Sequence, residues 1–171
     1  MAALNDKRKE ISPTIPSGMP KMKGYITMGM IGLTAVYFAF VYALKDSGAY
    51  LKPADIYCVN VPQPCSRPDL FAFQVSSCLA IAFVGIYGFW VWHVSRRVHW
   101  AVPATSEGRL FAYLPEGQVL AAANFTFQVW DWVISLLIPE HCTPIMLVHH
   151  FLAATVSYFS LEYQYLQYYG V

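Results

Sequence analysis

LFAFQVSSCLAIAFVGIYGFWVW, residues 70–92, is a stretch that contains no charged side chain. A helix needs about 20 apolar residues to cross the hydrocarbon layer of a bilayer, and this stretch reaches that length. Three more stretches do so, and they cover residues 24–44, 119–138 and 145–166. The only charged residues in all four are Asp131 and Glu162. Each stretch is therefore typical of a membrane span.

These four stretches predict the fold class. A backbone that crosses a bilayer must satisfy its own hydrogen bonds, so only helices and closed barrels are able to span it. The stretches lack the short alternating strands of a barrel. We therefore predict an all-α protein, an integral membrane bundle of four transmembrane helices over residues 24–171, preceded by a polar N-terminal arm, residues 1–23.

Composition agrees with this class and excludes others. Of the 171 residues, 57% are hydrophobic and only 12% are charged, against roughly a quarter charged in a soluble domain. Disorder is excluded, and a water-soluble fold is not expected. The 11 basic and 10 acidic residues give a formal net charge of +1. This balance leaves no excess of positive charge to bind the phosphate backbone of a nucleic acid, so we expect no nucleic acid partner.

The polar arm predicts the orientation in the membrane. It is too polar for a cleavable signal peptide, and its acids Asp6 and Glu10 are unusual in an organellar transit peptide, so we expect it to be retained. By the positive-inside rule the N-terminus lies on the cytoplasmic or matrix-equivalent side. The protein is then a multi-pass protein of the endoplasmic reticulum or of an organellar inner membrane. The arm holds five of the 11 basic residues, Lys7, Arg8, Lys9, Lys21 and Lys23.

Two cysteines lie in the polar loop after the first span, on the predicted outer side. The spacing of Cys58 and Cys65 suggests a single disulfide bond, and two free thiols are the alternative.

Polar residues within the third stretch are ordered along one face. Asn124, Gln128, Asp131 and Ser135 follow the spacing i, i+4, i+7 and i+11, which keeps them within an arc of roughly 60° on a helix. The fourth stretch carries a matching polar face, which includes His149, His150, Ser157 and Gln164. Polar groups inside a membrane tend to face a bundle interior or each other.

The two polar faces are at the same depth. Asp131 lies about 10 Å before residue 138, and His150 lies about 9 Å after Pro144, at a rise of about 1.5 Å per residue. The short turn between the stretches makes them antiparallel neighbours. We therefore expect a carboxylate and an imidazole to meet between them, where pairing relieves the desolvation of Asp131.

A family resemblance is carried by two adjoining runs. Residues 124–132, Asn-Phe-Thr-Phe-Gln-Val-Trp-Asp-Trp, and residues 147–158, Leu-Val-His-His-Phe-Leu-Ala-Ala-Thr-Val-Ser-Tyr, resemble the TLC domain family. That family joins translocating-chain-associating membrane proteins, ceramide synthases and ceroid-lipofuscinosis-type proteins. It shows an aspartate within one span and a His-His pair near the start of the next. The resemblance covers residues 70–171, about the first half of such a domain.

The resemblance implies a helical, lipid-handling domain linked to sphingolipid or other acyl-lipid metabolism or to lipid binding. In the synthases the paired histidines belong to the acyl-transfer site, which would make His149, His150 and Asp131 candidate catalytic residues. One histidine would act as general base on an amine or hydroxyl that attacks an acyl thioester. The sequence departs from the synthases after Tyr158, since it has Glu162 and Gln164 where they continue with an Asn and an Arg, and their second motif rich in His and Asp does not follow.

Each of these signals also has a structural interpretation. Buried carboxylates, histidines and amides pair helices as often as they catalyse, so Asn124, Gln128, Ser135, Ser157 and Gln164 would pair helices or contact lipid. Adjacent histidines point about 100° apart on a helix. We therefore predict no metal and no cofactor, and the sequence leaves open whether the protein is an enzyme.

Three function classes follow from these observations. The first is the lipid-handling protein, with membrane lipids as partners. The second is a non-catalytic accessory subunit of a larger membrane complex, for example an organellar energy-converting assembly, in which other membrane subunits hold the N-terminal arm. A channel or transporter fragment is the third, and the sequence shows no inverted repeat of the kind that would favour it.

Overall fold

The computed structural model describes residues 19–46 and 67–170, and within them all regular structure is helical. Residues 1–18, 47–66 and 171 lie outside that description, and with them most of the polar arm and both Cys58 and Cys65. The helices are α1 (Met19–Leu44), α2 (Pro68–Phe89), α3 (Arg97–Ala101), α4 (Ser106–Phe111), α5 (Pro115–Ser135) and α6 (Pro144–Tyr163). A π-helical stretch, Trp90–Ser95, continues α2, and a 3₁₀ turn, Gln167–Gly170, follows α6.

Three of the described helices are long and apolar enough to cross a membrane, namely α1, α2 with its π-helical extension to Ser95, and α6. Three of the four predicted spans are therefore confirmed as helices of that kind. The third stretch forms α5, which is less apolar than these three because it carries Glu116, Gln118 and the polar face. Since α5 contacts α1, α2 and α6, protein atoms surround much of it.

Local signals explain where the long helices begin. Pro68, Pro115 and Pro144 each occupy the first turn of a helix, where the missing N–H costs nothing. The hydroxyl of Thr143 also accepts a hydrogen bond from the backbone N–H of Met146 at 3.4 Å, which caps α6.

The predicted end of the fourth stretch, residue 166, is wrong. Helix α6 ends at Tyr163, and Gln164 follows in the left-handed region at φ 52°. The N–H of Leu166 then donates to the carbonyl of Leu110 at 2.8 Å, so the chain turns back onto α4. An apolar sequence pattern does not reveal such a turn, because Gln164 is an unusual residue for positive φ.

Contacts along α1 show how the bundle is arranged. A Cβ placed on Gly29 would lie 2.8 Å from Cγ2 of Thr126, so α1 and α5 approach closely there. Further along both helices, the rings of Tyr37 and Trp130 meet edge to face with centroids 6.2 Å apart. Helices α1 and α5 are therefore parallel, and α5 and α6 are antiparallel across their short turn, as the sequence predicts.

An ion cluster closes the end of the bundle where α2 begins. The guanidinium of Arg67 donates to Asp69 at 2.7 Å and to Glu140 at 2.8 Å. This contact joins the start of α2 to the turn between α5 and α6. The two acids raise the pKa of Arg67, and the guanidinium lowers the pKa of Glu140 to about 2. No motif or periodic pattern in the sequence indicates this cluster.

The cluster predicts a specific acid sensitivity. Because the pKa of Glu140 is about 2 in the folded protein and 4.5 ordinarily, its stabilisation is complete above pH 4.5 and is lost as the pH falls toward 2. Glu140→Gln should lower the free energy of unfolding by about 1 kcal/mol at pH 6, since the pair is partly exposed to solvent. The difference from wild type should shrink below pH 4.

Thermal unfolding in mild detergent between pH 2 and pH 7 measures this effect. Asp46→Asn is the matched control, because Asp46 is an exposed acid that follows the end of α1. A difference between Glu140→Gln and wild type that does not change with pH would contradict the assignment of the cluster.

Candidate functional site

The polar faces of α5 and α6 meet in a seam, which we define by Asn124, Gln128, Asp131, His150 and Ser157. At its centre, Nε2 of His150 lies 3.3 Å from Oδ1 of Asp131. Asp131 is 4% exposed and His150 is 6% exposed. The expected meeting of a carboxylate and an imidazole between the two helices is therefore confirmed. The carboxylate also accepts a hydrogen bond from the hydroxyl of Ser135, at 2.9 Å.

A chain of hydrogen bonds runs along the seam and ends at His150. The hydroxyl of Ser157 donates to the carbonyl of Ala153 at 2.9 Å and accepts from Nδ2 of Asn124 at 2.7 Å. Oδ1 of Asn124 in turn accepts from Nε2 of Gln128 at 3.4 Å. Oε1 of Gln128 lies 2.7 Å from Nδ1 of His150. Two side-chain amides therefore connect a backbone carbonyl to the imidazole.

The direction of this chain determines which nitrogen of His150 carries a proton. A backbone carbonyl only accepts, so the Ser157 hydroxyl donates to it and the amide of Asn124 must donate to Ser157. Each amide then presents its oxygen to the next donor. Oε1 of Gln128 is an acceptor, and Nδ1 of His150 must be the donor to it. This places one proton of the imidazole on Nδ1.

The assignment leaves Nε2 facing the carboxylate of Asp131. A bare Nε2 and an ionised carboxylate would present two lone pairs to each other, which is unfavourable in a buried site. One proton between them removes that conflict, whether it lies on Nε2 or on the carboxyl group. We therefore expect Asp131 and His150 to hold one proton between them, so that the buried pair carries no net charge.

The other predicted site residues lie at varying distances from this pair. His149 is exposed on α6, and its ring centroid is 5.3 Å from that of His150. Gln164 is buried at the end of α6, beyond the last turn of the helix. Among residues 19–46 and 67–170, no three His, Cys, Asp or Glu side chains are grouped closely enough to hold a metal ion.

An apolar groove lies along the seam, and sequence analysis missed it. Its volume is about 380 Å³, within the range of ordinary ligand pockets. From α5 it is lined by Phe125, Val129 and Trp132, each of which is one residue beyond a member of the polar face. Helix α6 contributes His150, Thr155 and Tyr158 together with apolar side chains. The signal was present in the sequence as a second face, turned by about 100° from the first.

Comparisons of the chain with models of protein families, with curated proteins and with solved structures found no match.

The buried pair predicts thermodynamic coupling. Asp131→Asn and His150→Gln should each lower the free energy of unfolding by about 2 kcal/mol, because each leaves its partner without a proton-sharing group. The double variant should lose less than the sum, with a coupling energy of about 1–2 kcal/mol.

Unfolding of the four proteins in mixed micelles measures that coupling. Glu162→Gln is the matched control, since Glu162 is an acid exposed on the same helix as His150, and it should change stability little. Additive effects of Asp131→Asn and His150→Gln, within about 0.5 kcal/mol, would contradict the shared proton.

Proposed function

We propose that this chain is a TLC-domain-like protein that crosses the membrane four times and binds an acyl lipid in the groove between α5 and α6. The observation that carries this proposal is the position of His150, which belongs both to the buried pair and to the lining of the apolar groove. An acyl chain in that groove would lie against a polar group that is able to exchange a proton.

Helix α5 is the fourth span in this proposal. Its 21 residues extend for about 31 Å, close to the hydrocarbon thickness of about 30 Å. A span that is surrounded by other helices tolerates polar residues that a lipid-facing span does not. Because α5 contacts α1, α2 and α6, its lower hydropathy fits a central position. The basic residues ahead of α1 favour an N-terminus on the cytoplasmic or matrix-equivalent side.

The groove suits an acyl chain for chemical reasons. Its walls are aromatic and aliphatic side chains, among them Phe125, Trp132 and Phe159, and the imidazole of His150 forms part of the lining. Burial of an apolar chain against such walls is favourable in proportion to the area removed from water. A ligand with one apolar chain and one polar head would match this arrangement.

Proton transfer extends the proposal to a reaction. In acyl transfer, an amine or hydroxyl attacks the carbonyl carbon of an acyl thioester and the bond from carbon to sulfur breaks. Nδ1 of His150 donates to Gln128 and is not free to take a proton. The proton of the attacking amine or hydroxyl therefore goes to Nε2 of His150 or to the carboxylate of Asp131. These two basic sites hold only one proton between them beforehand. That proton then passes to the thiolate that leaves. His149 is exposed beside His150, and we assign it to contact with the polar head.

Filling the groove tests lipid binding. Val129→Trp should lower the affinity for a fluorescent fatty acyl lipid by about tenfold, because the larger side chain occupies the space of the acyl chain. Val133→Trp is the matched control, since Val133 is 45% exposed and does not line the groove. Equal affinity of Val129→Trp and wild type in the same bilayers would exclude this groove as the site.

The reaction is tested separately by following acyl transfer from an acyl thioester to a long-chain amine in reconstituted bilayers. His150→Ala should abolish turnover, while Glu162→Gln should leave it unchanged. If His150→Ala keeps full activity, His150 is not the base. If wild type binds the acyl lipid without turnover, the protein is a lipid binder rather than a transferase.

A structural role as an accessory subunit is the second candidate function, and one observation favours it. The amides and hydroxyls of the seam satisfy one another from Ala153 to His150, which is what helix pairing requires. This candidate predicts that other membrane subunits co-purify with the protein at a fixed ratio. A monodisperse, stable monomer in mild detergent would count against it.

A further inference from the structure

A second apolar groove lies on another face of α5, between α1, α2 and α5. Its volume is about 640 Å³. On α1 its lining extends from Met22 to Val36, a length of about 21 Å. We propose that this groove, which we call the α1 groove, holds one acyl chain of an anionic phospholipid from the leaflet next to the start of α1. The proposal does not depend on the function assigned to His150.

The far end of the α1 groove is closed by aromatic packing. Tyr37, the residue after the last lining residue of α1, is 4% exposed and packs against Trp130. Phe73 of α2 stacks on the other side of Trp130, with centroids 6.0 Å apart. Side chains of all three helices therefore pack together beyond Val36. Before Val36, α1 and α5 remain in contact at Gly29 and Thr126, and the groove lies beside that contact.

A groove that ends partway along a span favours a lipid chain over a partner helix. One leaflet of the hydrocarbon layer is about 15 Å deep, so an acyl chain that starts at the headgroup level ends near the middle of the bilayer. A membrane-spanning helix has no such end and would need a surface that continues past Tyr37. The closure of the α1 groove therefore fits the lipid chain.

Two glycines on α1 show that the width of the α1 groove is not a consequence of close helix packing. Gly29 is explained by the close approach of Thr126, which lies 2.8 Å from where its Cβ would be. Gly32 also lines the groove, but a Cβ placed on it would meet nothing within 4 Å. The missing side chain at Gly32 therefore widens the groove without bringing any protein atom closer.

A basic residue stands at the open end. Lys21 is exposed and lies one helical turn before Tyr25, which lines the groove and is 74% exposed. Among the residues that the structure describes, no acid lies within salt-bridge distance of Lys21. A lysine at the level of the headgroups attracts anionic lipid. Charge and shape together select a phospholipid whose phosphate lies beside Lys21.

Photocrosslinking of a defined lipid tests this site. The full chain is reconstituted in phosphatidylcholine bilayers that contain a small fraction of phosphatidylglycerol with a diazirine at the middle of one acyl chain. After irradiation, the attached lipid is located by mass spectrometry of peptides. We expect attachment to α1 between Met22 and Val36, and Gly32→Leu should reduce it to background because leucine fills the groove. A phosphatidylcholine probe of the same chain should attach less.

Two matched controls make the result specific. Gly85→Leu introduces the same side chain on α2, at a position where a Cβ also meets nothing within 4 Å. Gly85 does not line the α1 groove, so this variant should leave attachment unchanged. Lys21→Ala should weaken attachment roughly fivefold through loss of headgroup attraction, whereas Lys45→Ala, at the other end of α1, should not. Monodispersity and thermal stability of each variant show that it is folded.

The outcomes that overturn the proposal are distinct. Unchanged attachment in Gly32→Leu, or in Lys21→Ala, removes the site. An equal fall in Gly85→Leu shows that the probe reports only lipid around the bundle. Disulfide-linked dimers of Gly32→Cys, formed in place of lipid attachment, would assign the groove to a second copy of the chain.

Discussion

Burial of the Asp131 carboxylate in an apolar helix bundle is the constraint on which the rest of the structure depends. An ionised carboxylate that is taken out of water without a partner is too costly to persist in a fold. In this chain the partner is an imidazole on the neighbouring helix, 3.3 Å away. The short turn makes α5 and α6 antiparallel neighbours, and the pair requires their polar faces to be turned toward each other at the same depth. The hydrogen-bonded amides of the seam then orient the ring.

The pair also explains the position of α5 in the bundle. A helix with a buried acid, two amides and a serine on one face needs protein on that side, and α6 supplies it. Its other faces are covered in part by α1 and α2, and the close contact at Gly29 brings α1 near to it. Incomplete coverage leaves two apolar grooves, which are lined by different faces of α5. The ion cluster of Arg67 joins α2 to the turn between α5 and α6 at one end of this arrangement.

Much of the central site was predictable, because helical periodicity and depth are local properties of a sequence. The spacing of Gln128 and Asp131 and the short turn before Pro144 were enough to place Asp131 opposite His150. Arg67 and Glu140 are 73 positions apart, and no periodic pattern relates them. The left-handed turn at Gln164 leads into the hydrogen bond between Leu166 and Leu110, which is equally non-local. The predicted disulfide of Cys58 and Cys65 lies outside the described residues and stays a prediction.

The protonation of His150 is the most direct test of the account. Nitrogen-15 NMR of protein labelled at histidine and reconstituted in bilayers distinguishes protonated from bare ring nitrogens, and a His150→Gln spectrum identifies the signals of His150. We expect a proton on Nδ1, with Nε2 either protonated or hydrogen-bonded to the carboxyl of Asp131, and a changed Nε2 signal in Asp131→Asn. A neutral ring with bare Nδ1 and protonated Nε2 would contradict it, because the seam could not then be ordered as described.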